Sequence, residues 1–184
     1  NRHLLAHETR EAFSVALRAT PDDLGLDLVF DIAHNLAKLE THVVAGQRRN
    51  LCVHRKGATR AFGPGHVDLP GDLRGVGQPV LVPGSMGTAS WVLRGVDGNP
   101  AFESAAHGAG RLLSRSAAKR RATGRDVRRD LESAGIAIRP GSVRLLAEEA
   151  PYAYKDVDEV ARVCEGAGLA ARVARLRPLG VVKG

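Results

Sequence analysis

The sequence predicts an α+β fold, a mixed β-sheet core with peripheral helices, on three observations. Leu26, Leu28, Phe30 and Ile32 alternate at strand period, Val80-Leu81-Val82 is a short apolar run between prolines, and Val157, Val160, Ala161 and Cys164 recur at helical spacing. No repeat, low-complexity tract or long linker breaks the chain, so residues 1–184 read as one domain or part of one.

In chain order, residues 3–19 predict a helix, with Leu4, Leu5, Phe13, Val15, Ala16 and Leu17 set among charged residues. Thr20-Pro21-Asp22-Asp23 predicts a turn or helix start, and residues 26–32 a strand whose apolar face would reach His34. Residues 35–40 read as helical or irregular. Val43-Val44 and Leu51-Cys52-Val53-His54 flank the polar residues 46–50, the pattern of a hairpin. Phe62-Gly63-Pro64-Gly65 is a loop. A strand at 79–82 leads into the glycine-containing loop 83–88, a second strand covers 90–93, and Asp97-Gly98-Asn99-Pro100 turns the chain. A basic helix is expected after Gly110, running to about Arg121. Thr123 then caps a short helix that Gly135 stops. The last helix spans 156–167, and Val173, Leu176, Leu179, Val181 and Val182 form a terminal extended stretch.

Composition narrows the class. Hydrophobic residues make up 43% and charged residues 26%, a globular balance. Aromatics are only 4%, so the core must be aliphatic. Lys and Arg total 27 against 20 acids, and the net charge of +7 with a pI near 10.1 favours phosphate-bearing partners. The two cysteines, Cys52 and Cys164, form no CxxC pair, which argues against a secreted disulfide scaffold and for a reducing, cytoplasmic setting. No apolar run approaches the ~18 residues of a membrane span. The single methionine is Met86, so the chain reads as the later part of a longer polypeptide.

Four stretches join glycine to a reactive or phosphate-binding side chain: Ala33-His34-Asn35, the loop from Pro83 to Ser90, His107-Gly108-Ala109-Gly110-Arg111, and Gly180-Val181-Val182-Lys183-Gly184. The third is the strongest. Beside His107 almost no side-chain bulk hinders a phosphate from reaching backbone N–H groups. A helix starting there would add about 0.3–1 kcal/mol of dipole attraction, and Arg111 a fork-shaped cation. Plainer roles compete. A lone histidine such as His34 is commonly a satisfied core residue, His107 could begin a tight turn, and Gly84 and Gly87 could serve an ordinary hairpin. Cys52 and His54 have no recognised metal spacing and read as structural. Residues 111–129 hold eight Lys or Arg, a run that is as commonly a solvated face as an RNA contact. A penultimate Lys183 would ordinarily be a frayed tail.

Taken together, six stretches in order resemble the RtcB family of RNA ligases, over nearly the whole chain. They are Asp31-Ile32-Ala33-His34-Asn35, the run from Val53 to Phe62, the run from Gly77 to Ser90, His107-Gly108-Ala109-Gly110-Arg111 with Ser114-Arg115, Glu148-Glu149-Ala150-Pro151 with Tyr154-Lys155-Asp156-Val157, and Lys183-Gly184. The resemblance implies that His107 is the nucleophile that attacks the α-phosphorus of GTP and carries GMP. It implies that His34 is a manganese ligand and that Asn35 lies beside the nucleotide. Pro83, Gly84, Ser85, Met86 and Ser90 match the loop that holds GTP, as do Gly108, Ala109 and Gly110 around the nucleophile. Ser90 sits where guanine is read, and Tyr154 and Lys183 match positions that pack on and hydrogen-bond the base. Lys56 and Arg111 resemble residues near the RNA end. Gly63 stands where the family usually has proline and Trp91 where tyrosine is common; neither touches a carried-over role.

The family's other metal ligands, an aspartate, a cysteine and two histidines, are expected upstream of this segment, which would be the C-terminal portion of the ligase and inactive alone. The expected activity is GTP- and Mn2+-dependent joining of 3′-phosphate or 2′,3′-cyclic phosphate RNA ends to 5′-hydroxyl ends, in tRNA splicing or RNA repair. RNA and GTP are the implied partners and archease a candidate one, with no membrane involved. Two other classes compete. A basic, non-catalytic RNA-binding module explains the charge but has no use for His-Gly-Ala-Gly, and scarce aromatics disfavour stacking on single strands. A metal-dependent phosphoesterase explains His34, yet the segment shows no second ligand at useful spacing.

Overall fold

A computed structural model describes residues 1–183, so of the closing Lys183-Gly184 pair Gly184 lies outside the described residues. The chain divides into two units, Asn1–Asp31 and Ile32–Gly184. The first unit carries α1 (Arg2–Leu17), close to the expected bounds, and buries none of that helix's residues. The strand expected at 26–32 does not form. The Leu26 amide donates to Pro21 O at 2.9 Å, Arg10 Nε donates to Leu26 O at 2.8 Å, and the Arg2 guanidinium grips Asp31 at 2.6 and 3.0 Å. Alternating apolar residues need a neighbouring strand to pair with, and here the backbone is spent locally.

The second unit begins with β1 (Asn35–Val44), β2 (Gln47–Lys56), β3 (Ala58–Arg60), β4 (Pro79–Pro83), β5 (Ser90–Gly95) and β6 (Ser104–Ala106). It continues with α2 (Arg115–Arg121), α3 (Gly124–Ser133), β7 (Ala137–Pro140), α4 (Val157–Gly166), β8 (Ala170–Leu176) and β9 (Gly180–Lys183). The fold is α+β, as expected, but its strands form four small sheets rather than one.

Residues 35–40, read as helical or irregular, are the first half of β1. Leu, Ala, Lys and Glu favour helices only by tenths of a kcal/mol each. A ladder running from Asn35 opposite Lys56 to Val44 opposite Gln47 overrides that preference. The hairpin itself is as expected, but its turn is only Ala45-Gly46, both at positive φ (49° and 75°), and the polar residues 47–50 belong to β2. Arg55 points inward and is 2% exposed, held by both Glu40 oxygens at 2.7 Å. Cys52, His54 and Lys56 lie on the exposed side.

β4, β5 and β8 form an antiparallel sheet in that order, covered by α4. Val80, Val82, Leu93, Val157, Ala161 and Cys164 make the first core cluster. A second cluster gathers Met86, Val127, Leu131, Ile136, Ile138 and Leu146 around α3, β7 and a 3-10 helix at Val143–Glu149. Gly124 opens α3 because a Cβ there would sit 1.8 Å from Val143 O, while Thr123 and Asp126 complete the anticipated cap. The parallel pairing of β7 with β9, which the sequence did not signal, carries Lys183 alongside Pro140. Among the described residues no helix is long and apolar enough to cross a membrane.

Candidate functional site

The loop joining β4 to β5 is closed by its own hydroxyls. Thr88 Oγ1 accepts the Ser85 N–H at 2.8 Å and lies 2.9 Å from Ser85 Oγ. A Cβ at Gly84 would meet Ala89 O at 2.2 Å and Thr88 Oγ1 at 2.5 Å, so only glycine permits this fold-back. Neither Gly84 nor Gly87 has a positive φ. Close approach, rather than hairpin geometry, explains them.

A cleft of about 480 Å³ opens on this loop. Gly84, Ser85, Met86 and Ser90 line one side, Tyr154 and Glu149 another, and residues 176–178 with β9 through Lys183 the third. Six residues widely spaced in the sequence (Gly84, Ser85, Met86, Ser90, Tyr154 and Lys183) thus share one concavity. Pro83 does not line it; it pairs with Ser90 across the sheet and accepts the Ala109 N–H at 2.9 Å.

Glu149 organises the wall. Its carboxylate accepts the Tyr154 hydroxyl and lies 3.4 Å from Arg111, 3.4 Å from Arg115 and 3.8 Å from Lys183. Burial pushes the Glu149 carboxyl up, but the Tyr154 hydroxyl and these cations outweigh it and hold it below its usual value. Burial and the Glu149 bond together push the Tyr154 phenol up, so it stays neutral. Arg111 is engaged through all three nitrogens: Nη1 donates to Tyr154 Oη at 3.1 Å, Nη2 to Glu148 O at 2.5 Å, and Nε to Leu113 O at 3.0 Å. The guanidinium also sits 5.0 Å from the Tyr154 ring centre. These anchors explain why α2 starts only at Arg115, with Ser114 as its cap, rather than directly after Gly110. The expectation that a helix dipole faces the His107 turn therefore fails.

His107 follows β6, where Ala58 pairs with Ala106, so Gly57 and His107 leave the ladder side by side. A Cβ on Gly57 would reach to 3.6 Å of the His107 ring, and the Gly57 N–H donates to His34 O at 3.2 Å. The two imidazoles are stacked, 4.8 Å apart and 4° from parallel. His107 Nδ1 is buried without a hydrogen-bond partner, which leaves Nε2 as the nitrogen open to a reaction partner. Asn35 lies opposite Lys56 at the open end of the hairpin, next to His34. Among the described residues no three His, Cys, Asp or Glu side chains cluster as a metal shell. This segment offers a metal one exposed imidazole, His34, beside His107.

The family model described as tRNA-splicing ligase RtcB matches residues 1–184. The chain belongs to the RtcB family. It is 58% identical over 184 residues to the RNA-splicing ligase RtcB of Mycobacterium tuberculosis, all of this chain and 41% of that protein. It is 54% identical over 186 residues to the tRNA-splicing ligase RtcB of Archaeoglobus fulgidus, covering 39% of it. The match to the tRNA-splicing ligase RtcB of Pyrococcus abyssi is 53% over 186 residues and covers 20% of that protein. The chain thus spans about two fifths or less of the length of these curated relatives.

Seen as part of an RtcB protein, the residues fall into two groups. The cleft takes Gly84, Ser85, Met86, Ser90, Tyr154 and Lys183, whereas His34, Asn35, Lys56 and His107 to Gly110 gather at the ends of β1, β2, β3 and β6. The Ala109–Pro83 bond and Lys155 N–H to Gly110 O, 3.0 Å, link the groups. The sequence alone assigns Glu149 no role; its one signal is an acidic pair, Glu148-Glu149, in a chain of net charge +7, with Glu149 five residues before Tyr154.

Proposed function

We propose that this chain is part of a GTP- and manganese-dependent RNA ligase. It would join 3′-phosphate or 2′,3′-cyclic phosphate ends to 5′-hydroxyl ends, in tRNA splicing or RNA repair, in the cytoplasm. The observation that carries the proposal is the cleft that gathers Ser85, Ser90, Tyr154 and Lys183 in a chain matched throughout by the RtcB family. Archease remains a candidate activating partner.

In this reading GTP lies with its base against Tyr154 and Lys183 and its phosphates toward the Pro83–Ala109 junction. The Tyr154 hydroxyl is already spent on Glu149 and Arg111, so its ring packs on the base, while Lys183 keeps its donors. His107 Nε2 attacks the α-phosphorus, an N–P bond forms, and pyrophosphate leaves with the broken P–O bond pair. Nδ1 of the same ring is buried against its stacked neighbour, so Nε2 is the nitrogen that can reach the phosphorus. A 2′,3′-cyclic end first takes up water, which breaks its P–O2′ bond and leaves a 3′-phosphate and a 2′-hydroxyl; GMP then passes from His107 to the RNA 3′-phosphate, which restores the imidazole. The 5′-hydroxyl attacks that activated phosphate, forms the new phosphodiester and releases GMP. His34 is the residue of this chain that would hold manganese, whose chemistry when bound is to neutralise phosphate charge.

The test is the intact mass of the full-length protein after incubation with GTP and manganese. A gain of one GMP, absent in His107→Ala, supports the reading. No gain in the unmodified protein rejects it. A further expectation is that residues 1–184 alone form no adduct.

A further inference from the structure

We propose that Glu149 is a positioning residue for the nucleotide cleft, which sets the Tyr154 ring and Lys183 for the base and ties them to Arg111 and Arg115. This inference rests on the reading of the cleft given above and assigns a role within it.

Among the described residues Glu149 is the one carboxylate of the cleft lining. Its four partners come from distant parts of the chain: Arg111 before α2, Arg115 within it, Tyr154, and Lys183 in β9. No rotamer of Tyr154 fixes its ring plane as firmly as a hydroxyl bonded at both lone pair and proton. Here the proton goes to Glu149, and Arg111 Nη1 donates to the oxygen at 3.1 Å. The ring then has the Arg111 guanidinium 5.0 Å from its centre, which leaves ring surface for the cleft.

Lys183 is held differently. At 3.8 Å its ammonium is paired with Glu149 by charge but is too far for a hydrogen bond, so among the described residues its three donors stay available. Without the Glu149 charge, Lys183 would face Arg111 and Arg115 with no carboxylate among the described cleft-lining side chains. Mutual repulsion would shift Lys183, the one of the three that lines the cleft. Glu148, 3.7 Å from Arg115, can serve that arginine, but its carboxylate is bonded to Lys119 at 2.9 Å and does not line the cleft.

Glu149 therefore serves both sides of the wall. Toward the cleft it presets the stacking ring and the cation; away from it, it restrains the two arginines. Nucleotide affinity, not the chemistry at His107, should depend on it.

The test uses the full-length protein and measures GTP binding by calorimetry and adduct formation at saturating GTP. Glu149→Gln keeps an acceptor for Tyr154 but removes the charge. It should raise the GTP dissociation constant about tenfold, and Glu149→Ala more, with the saturated adduct rate unchanged within about twofold. Tyr154→Phe supplies the control. If Glu149 acts through Tyr154 and Lys183, a Glu149→Gln, Tyr154→Phe, Lys183→Ala triple variant should bind no more weakly than the Tyr154→Phe, Lys183→Ala double. Thermal midpoints within a few degrees of the parent exclude simple unfolding. Unchanged GTP affinity in Glu149→Gln, or a saturated rate that falls with affinity intact, overturns the inference while the reading of the cleft stands. An unmodified protein that binds no GTP overturns that reading and this role with it.

Discussion

The cleft and the histidine pair lie next to each other but are built by opposite rules. In the cleft three polar groups of the wall are partnered within the chain: Ser85 with Thr88, Tyr154 with Glu149 and Arg111, Glu149 with three cations. Its loop is packed so closely that Gly84 has no room for a methyl group. At the histidine pair, His107 Nδ1 is buried without a partner, and His34 is exposed. A binding surface gains from saturation, because preset groups need little reordering when a ligand arrives. A nucleophile must keep a nitrogen uncommitted. The contrast separates holding from reacting.

The sharpest way to break that contrast is His107→Ala. It should abolish the GMP adduct entirely while GTP affinity stays within about threefold and circular dichroism is unchanged. Loss of GTP binding along with the adduct would show that the two regions are one device. Next in size is Gly84→Ala, which forces a methyl group against Ala89 O. Overpacking of this kind costs about 1–3 kcal/mol, to be read as a lower urea midpoint and weaker GTP binding. A variant as stable as the parent would mean the loop is looser than its contacts imply. Lys183→Ala should cost about 1–3 kcal/mol of GTP binding, the scale for removing one partner of a buried polar group. It should also narrow the preference for GTP over ATP. Equal use of both nucleotides by the unmodified protein would contradict a base-reading cleft.

How much of this was visible in the sequence follows from the range of the interactions. The α4 stripe, the Thr123 cap and the two strands around the glycine loop are set by neighbours within a few residues, and all three appear as anticipated. The first half of β1 departs from its local pattern because its helix-forming residues are overruled by β2, whose pairing no window over 35–40 can reveal. The strand expected at 26–32 failed for the converse reason, having alternation but no ladder. β7 with β9 joins residues some forty positions apart and carries no local mark. The site divides the same way. Gly84, Ser85 and Ser90 are legible as one loop, whereas Glu149 gains its meaning only when Arg111, Arg115, Tyr154 and Lys183 converge on it.

The smallest effect concerns the frame that carries the third side of the cleft. Arg175, just before the cleft-lining Leu176 and Arg177, grips Asp158 of α4 through two bonds of 2.8 Å, and Trp91 Nε1 of β5 donates to the same carboxylate at 2.7 Å. The Arg175 hydrogen bonds first, then Trp91, pull the Asp158 carboxyl down to about 2 from 3.8. A depressed carboxyl stabilises the fold fully above its unfolded value, near 4, and loses that contribution as pH falls through about 2. The pair is 46% and 45% exposed, so water screens it and exposed pairs contribute only about 0–1 kcal/mol. Asp158→Asn keeps an acceptor for Trp91 and removes the charge. Its thermal midpoint should lie slightly below the parent's from neutral pH down to about 4, and the two should converge toward pH 2. Added salt should narrow the gap at neutral pH. GTP affinity should be untouched, because Asp158 lies outside the cleft lining. A gap that persists undiminished at pH 2 would show that Asp158 holds β8 by shape rather than charge. A loss of GTP affinity in this variant would mean that the frame and the cleft move together, and that the saturated region is less rigid than its hydrogen bonds suggest.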